Sequence, residues 1–247
     1  MKERLDVLLV NRGYFTSRAR AQAAIKEGSV AAGGKILQKP GMIIDDETTE
    51  ITVDEGVLKY VSRGGLKLEK AIEEFAINLT GRVCMDIGSS TGGFTDCMLC
   101  YGAQKVYAID VGTDQLDPRL RSDSRVVSME QTNFRYVTKE QIGESVDFAA
   151  ADVSFISLDK ILPTAYELLA DGGEMVCLVK PQFEAGRENI GKGGIVRNAK
   201  VRENVKERVS EYASEVGFEK VGMTDSPIQG KDGNTEYLLM LRKGKHE

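Results

Sequence analysis

The chain has 247 residues, 41% of them hydrophobic, and a formal net charge of −5. That is enough apolar material for a sizeable core, in one large domain or a small one joined to a medium one, and it excludes a mainly disordered chain. No stretch approaches the roughly 20 consecutive apolar residues of a membrane-crossing helix, and the opening "MKERLDVLLVNRG" has too short an apolar patch for a signal peptide.

The charge is unevenly spread. Residues 1–40 carry Lys2, Arg4, Arg12, Arg18, Arg20, Lys26, Lys35 and Lys39 against Glu3, Asp6 and Glu27, a basic segment on an acidic chain. Such a face can bind phosphates locally whatever the overall sign. "ERLDVLLVNRGY" places Leu5, Leu8 and Leu9 on one helical face and stops at Gly13. "TSRARAQAAIKEG" predicts a second helix, capped by Thr16 or Ser17 and ended by Gly28. Short strands follow in "SVAAGGKIL" and "TEITV", around the turn "KPGMII". Two helices and a small sheet, with Arg18, Arg20 and Lys26 on the second helix, resemble the alpha-L RNA-binding fold named after a small-subunit ribosomal protein. The resemblance runs along "RLDVLLVNRGYFTSRARAQAAIKEGSV" and implies RNA binding; the expected contacts are Arg4, Arg18, Arg20 and Lys26 within that stretch, with Lys35 and Arg63 beyond it. DNA is the minor alternative. The acidic run Asp45, Asp46, Glu47, Glu50, Asp54 and Glu55 would edge this domain away from phosphate. The expected limits are 1–56 for the small domain, 57–62 for a linker and 63–247 for the rest.

From residue 82 apolar runs alternate with helical patterns. "VCMDIG", "KVYAID", "RVVSM", "VDFAAADVSF" and "EMVCLVK" are strand candidates, and "GGFTDCMLCYG" and "SLDKILPTAYELLADG" read as helices. The alternation predicts an α/β fold with a doubly wound, mostly parallel sheet, whose ligands sit beyond the strands' carboxyl ends. Cys84, Cys97, Cys100 and Cys177 lie in apolar segments and are expected to be reduced and buried in a cytosolic protein. Cys97 and Cys100 form a CxxC, but there is no second pair and the one histidine is His246, so no metal is expected.

"DIGSSTGGFTD" gives GxxxGG through Gly88, Gly92 and Gly93, in place of the GxGxxG of a dinucleotide site. Asp86 leads the loop from the end of one strand, where a carboxylate suits a cationic sulfonium amino acid and repels a pyrophosphate. Asp110 ends the next strand, a position from which a carboxylate accepts the two hydroxyls of a nucleoside ribose. Acid, glycine loop and acid on adjacent strands point to S-adenosylmethionine, held by Asp86, Gly88, Ser89, Ser90, Thr91, Gly92, Gly93, Phe94, Asp110 and Asp152. Asn133, after "RVVSMEQT", would reach the adenine. Helix capping is the plain alternative for Asp86 and Asp110.

The place after the fourth strand holds "ADVSFISL", without the proline pair of enzymes that methylate exocyclic amines. Lys180 in "LVKPQFE", Glu236 at the start of a last strand "NTEYLLML", and Lys67 or Lys70 in "RGGLKLEKAI" could converge with Asp152. A ribose hydroxyl is a poor nucleophile, and a lysine of ordinary pKa, about 10.4, is protonated at neutral pH. Burial beside a second cation would push such an amine toward its neutral form.

On "SRARAQAAIKEG", "VSRGGLKL", "DIGSSTGGFTD", "DVSFISL", "LVKPQFE" and "EYLL" the chain resembles the TlyA/hemolysin A family over nearly its whole length. That family pairs an RNA-binding domain with an FtsJ-like ribose 2′-O-methyltransferase. The resemblance implies a catalytic Lys67, Asp152, Lys180 and Glu236, Lys67 being preferred because it fills the lysine of "RGGxKL". It also implies S-adenosyl-L-methionine as cofactor, a cytidine ribose of ribosomal RNA as substrate, and ribosomal RNA or a ribosomal subunit as partner. The cysteines place the chain in the cytoplasm. The family's historical name implies a pore-forming toxin, which the absent apolar span does not support, so no membrane role is expected. "SST" departs from the family's more usual alanine–proline loop, which leaves backbone contacts to the ligand undisturbed. The segment 184–198, with four glycines, Arg187, Lys192 and Arg197, reads as a mobile loop at the RNA entry. Two other readings are a non-catalytic ribosome assembly factor and a membrane-lytic hemolysin. The oligomeric state is left open.

Overall fold

The computed structural model describes every residue except 1, 16, 46–49, 55–58, 231–232 and 245–247. It divides into two compact units, residues 1–65 and 66–247. The expected joint at 57–62 lies a few residues earlier, and residues 57 and 58 fall outside the described part.

The small unit runs β1 (Lys2–Arg4), α1 (Leu5–Asn11), α2 (Arg18–Lys26), β2 (Val30–Ala32), β3 (Lys35–Ile36), β4 (Ile43–Asp45) and β5 (Ile51–Val53). Ser17 caps α2 by accepting from Arg20 N, and Gly28, at φ +77°, takes the left-handed turn that ends it. Thr16, the other candidate cap, lies outside the described residues. The expected short strands form the sheet β3-β2-β5, and a second pair, β1 with β4, has no counterpart in the sequence reading. Leu5, Leu8 and Leu9 of α1 pack with Ala21, Ala24 and Ile25 of α2 over Val30, Ile44 and Ile51. Each fully buried leucine contributes about 1.5–3 kcal/mol relative to exposure. Asp6, Asp45 and the acidic residues 50 and 54 are described; Asp46, Glu47 and Glu55 are not.

The large unit opens with α3 (Gly64–Glu74), whose first residues belong to the small one. Then follow β6 (Val83–Ile87), α4 (Gly93–Cys100), β7 (Lys105–Ile109), α5 (Pro118–Arg121), β8 (Val126–Met129), α6 (Lys139–Ile142), β9 (Val146–Ala151), α7 (Leu162–Leu168), β10 (Leu169–Val179), α8 (Pro181–Glu184), α9 (Ala199–Val216), β11 (Phe218–Asp225) and β12 (Tyr237–Lys243). The sheet order is β11-β12-β10-β9-β6-β7-β8. Strands β6 to β10 pair in parallel, and β12 runs antiparallel between β10 and β11. The central strands are buried on both faces, hence their unbroken apolar runs such as Phe148–Ala151.

Three expectations shift. The helix read over "SLDKILPTAYELLADG" is a 3-10 turn at Leu158–Lys160 followed by α7, because Pro163 fits only the first turn of a helix; from Leu169 the chain is already strand. "VDFAAADVSF" is strand only to Ala151. Cys84, Cys97 and Cys177 are buried as expected, but Cys100 is exposed at the end of α4. Among the described residues no helix is long and apolar enough to cross a membrane, and no cluster of three or more His, Cys, Asp or Glu could hold a metal ion.

Candidate methyl-transfer site

The parallel register of β6 with β7 and β9 aligns three carboxylates at one edge of the sheet: Asp86 within β6, Asp110 directly after β7 and Asp152 directly after β9. Between them runs the glycine loop. Gly88 N and Ser89 N both donate to Ile109 O, at 2.9 and 3.2 Å, and Gly92 N donates to Ser89 O at 2.7 Å. Ser90 N donates to Asp110 Oδ2 at 2.8 Å, and Thr91 O accepts from Asp117 N. Four loop amides are thus satisfied inside the protein. The loop therefore lacks the array of free N–H groups that cradles a pyrophosphate.

Glycine is needed here for two different reasons. Gly88, at φ +82°, passes so close to β9 that a Cβ would lie 2.8 Å from Asp152 O. Gly92, at φ +95°, is the left-handed cap of α4, and a Cβ would strike Leu120 and Leu116 at 2.4 and 2.7 Å. Gly93 opens α4, while Phe94 and Ser89 are buried.

Asp86 is fully buried. Its Oδ2 accepts from Thr95 N at 2.8 Å and Thr95 Oγ1 at 2.6 Å, whereas its Oδ1 has no hydrogen-bond partner. Burial pushes this carboxyl up to about 7, against the two bonds from Thr95 and helped by the negative charges of Asp152 and Asp110. An unpaired buried carboxylate oxygen is costly unless a donor reaches it, and a cationic amino-acid end is such a donor. Asp110 accepts from Ser90 N and from Gly112 N at 2.7 Å, one bond per oxygen. Each oxygen keeps a second lone pair for a ligand hydroxyl. These observations fit S-adenosylmethionine. Asn133 Oδ1 caps the 3-10 turn Phe134–Tyr136 by accepting from Arg135 N and Nε.

The four residues singled out for catalysis come together. Lys67 Nζ lies 2.7 Å from Glu236 Oε2 and 3.8 Å from Asp152 Oδ2. Lys180 Nζ lies 2.5 Å from Asp152 Oδ1 and donates to Ser154 Oγ at 3.0 Å. The order is therefore Glu236–Lys67–Asp152–Lys180, one alternating chain of charge. Lys67, Lys180 and Glu236 are 9%, 8% and 3% exposed. Burial pushes Asp152 upward, but Lys67 and Lys180 outweigh it and leave the carboxyl below the usual range. Lys70, the alternative to Lys67, instead pairs with Glu74 on the exposed face of α3. Glu236 is not in the last strand but one residue before it, where its backbone O accepts from Ser226 N.

Sequence reasoning missed Phe155 and Phe183. Phe155 is 91% exposed and held at φ +63°, a strained conformation for a bulky residue. Its ring lies 5.1 Å from that of Phe183, over which Lys180 Nζ sits at 5.9 Å. The signal was present in "DVSFISL", where a phenylalanine follows the catalytic candidate Asp152 by three positions. The loop 184–198, expected to be mobile, is tied down in part: Val196 is buried and its N donates to Asn234 Oδ1.

In the small unit, Arg4 and Arg18 are not simply solvent-facing. Both grip the buried Asp6: Arg4 Nε and Nη2 each at 3.0 Å and Arg18 Nη2 at 3.1 Å, with Gln22 Nε2 at 2.6 Å. Arg4, opposed by burial and joined by Gln22 and Arg18, holds Asp6 well below the usual carboxylate range. Arg63 donates to Glu27 O at 2.8 Å. Arg20, Lys26 and Lys35 lie on α2 and β3.

Sheet order, glycine loop and strand-end carboxylates together define an S-adenosylmethionine-dependent methyltransferase. The model of the FtsJ-like methyltransferases matches residues 60–243, and that of the S4 domain matches residues 3–50. The chain belongs to the FtsJ-like methyltransferase family and carries an S4 domain at its N-terminal end. It is 52% identical to YqxC of Bacillus subtilis, a candidate rRNA methyltransferase, over 97% of this chain and 85% of that one. It is 44% identical to the 16S/23S rRNA (cytidine-2′-O)-methyltransferase TlyA of Mycobacterium tuberculosis, over 98% and 90%. A solved structure of a candidate hemolysin from Streptococcus thermophilus superimposes with a TM-score of 0.79 at 51% identity, over 98% of this chain and 89% of that one.

Proposed function

We propose that the chain methylates the 2′-hydroxyl of a cytidine ribose in ribosomal RNA, with S-adenosylmethionine as donor. The observation that carries this reading is the chain Glu236–Lys67–Asp152–Lys180, buried but for a part-exposed Asp152, beside the glycine loop and packed there by the contact between Gly88 and Asp152 O. Likeness to rRNA (cytidine-2′-O)-methyltransferases supports the substrate. The donor supplies a methyl group already activated on a sulfonium sulfur.

The protein's share is alignment and proton handling. Asp86 Oδ1 receives the donor's ammonium, and Asp110 takes its ribose hydroxyls. Lys180 Nζ faces the attacking hydroxyl, taking its proton or steadying the developing alkoxide. Lys67 orients the hydroxyl from the other side. Asp152 stands between the two amines and Glu236 fixes Lys67, so the positive groups stay within reach of one oxygen without repelling each other apart. The S4 domain, with Arg4, Arg18, Arg20, Lys26 and Lys35, captures the RNA through its phosphates, and Arg63, beyond the S4 match, adds to this basic set. The partner is ribosomal RNA or a ribosomal subunit.

Phe155 offers its face to the target base. A nucleotide must leave its stack for the ribose to reach Lys180, and an exposed ring next to that amine can hold the extruded base. Phe155→Ala is expected to lower kcat/KM for RNA by about 5- to 100-fold, the range of one base–aromatic stack. Donor affinity should stay unchanged; measured rates on RNA and donor titration check both. The function itself is tested by incubating purified protein with labelled donor and unmodified ribosomal subunits, then mapping 2′-O-methyl marks. A new mark on a cytidine is the expected result. Label on a base, or no label, overturns the reading.

A further inference from the structure

Asn234 sits two residues before Glu236 and is 1% exposed. It is not a member of the charged chain, yet both ends of its amide are committed. Oδ1 accepts from Val196 N at 3.0 Å, and Nδ2 donates to Gly194 O at 2.9 Å. Its backbone O accepts from Gly230 N at 2.9 Å, and Gly230 O accepts from Gly233 N. Three parts of the chain meet at this residue: the glycine-rich segment 191–197, Gly230 and the approach to β12. A buried amide with every group matched in this way fixes its neighbours strongly, because any slippage leaves polar atoms unpaired.

Gly230 closes the arrangement on Glu236. A Cβ at Gly230 would lie 2.4 Å from Glu236 Oε1 and 3.0 Å from its Cδ. One carboxylate oxygen therefore packs against the bare Cα of Gly230, while the other, Oε2, holds Lys67 Nζ at 2.7 Å. The carboxylate is thus held between Lys67 and Gly230, whose N donates to Asn234 O.

We propose that Asn234 and Gly230 are positioning residues for methyl transfer: Asn234 ties Gly230 to the segment 191–197, and Gly230 seats Glu236 so that Lys67 stays aimed at the reacting hydroxyl. This rests on the catalytic reading of Lys67 and Glu236 given above. It also gives Lys192 and Arg197, on the segment that Asn234 holds, a mechanical link to the catalytic lysine.

Asn234→Ala and Gly230→Ala are compared with Glu236→Gln in single-turnover methyl transfer to ribosomal subunits, with donor affinity and Tm measured on each. Misplacement by a fraction of an ångström lowers rate without touching ground-state binding. The expected result is that both positioning variants lose about 10- to 100-fold in the transfer rate, with donor affinity unchanged. Asn234→Asp keeps the acceptor for Val196 N but turns a charged oxygen toward Gly194 O in a buried place, so it should recover none of that loss. Their pH–rate profiles should shift together, since both act on the Lys67–Glu236 pair. A normal transfer rate for Asn234→Ala overturns the inference, as does a fall in rate that tracks losses of Tm and donor affinity in all three substitutions. Should Glu236→Gln itself transfer normally, the catalytic reading fails and this inference with it; a dead Glu236→Gln beside a fully active Asn234→Ala sinks the inference alone.

Discussion

Lys180→Ala is expected to lower methyl transfer by about 10²–10⁴-fold, the usual worth of a positioned proton-transfer group, while donor affinity stays close to that of the parent protein. The reason is geometric. Lys180 Nζ touches Asp152 and Ser154, whereas the glycine loop, Asp86 and Asp110 are held by contacts that do not involve it. The variant removes one of two cations from Asp152, so its carboxyl should rise toward or above its ordinary value. Lys180→Arg separates the two roles left open for this amine. A guanidinium keeps the charge but does not give up a proton. If Lys180 acts as base, the arginine variant is as inactive as the alanine one; if it only steadies the alkoxide, part of the rate returns. Single-turnover rates alongside calorimetric donor titration read both effects. Near-normal transfer by Lys180→Ala removes it from the mechanism.

Asp86 gives the second large effect, and a pH signature with it. Its carboxyl rises from an ordinary 3.8 to about 7 in the fold, chiefly through burial. A raised carboxyl binds its proton more tightly folded than unfolded. Its contribution to folding stability is therefore fully present below about pH 4 and is lost as the pH climbs to about 7. Binding of a cationic donor runs the other way, because the ammonium needs the carboxylate. Donor affinity should increase as the pH rises from about 5.5 to 7.5, by close to tenfold per unit well below the midpoint. Above about pH 7.7 the donor's own amino group begins to lose its proton, which limits the usable window. Asp86→Asn should weaken donor binding by about 10- to 100-fold, the worth of a charge-assisted hydrogen bond, and flatten the pH dependence. Calorimetry at several pH values checks this, and an Asn variant that binds with unchanged affinity and slope excludes Asp86 from the ammonium site.

What the sequence made legible follows from what is local. The glycine loop, the acidic strand ends and the parallel strands announce themselves because they depend on spacing within one stretch. Lys67, Asp152, Lys180 and Glu236 are spread over 170 positions of chain; their places at strand ends and on a nearby helix suggested that they could converge, and the family resemblance chose Lys67 over Lys70; the structure then brings them within one chain of contacts. Strand β11 escaped notice because it is an edge strand, with Phe218 its one buried residue and charged residues following. The strained backbone at Phe155 and the amide bonds of Asn234 left no trace in composition, since both arise from tertiary contacts. Arg4 and Arg18 were read as a charged surface, and their shared hold on Asp6 depends on a helix-to-helix packing that periodicity does not encode.

That hold on Asp6 has a lasting effect. The carboxylate lies at the floor of the first helix, and two guanidinium groups lean on it from outside. Folding and surface chemistry in this small unit thus share a single anchor. Loss of that carboxylate would loosen the interior and release Arg4 and Arg18 in one stroke.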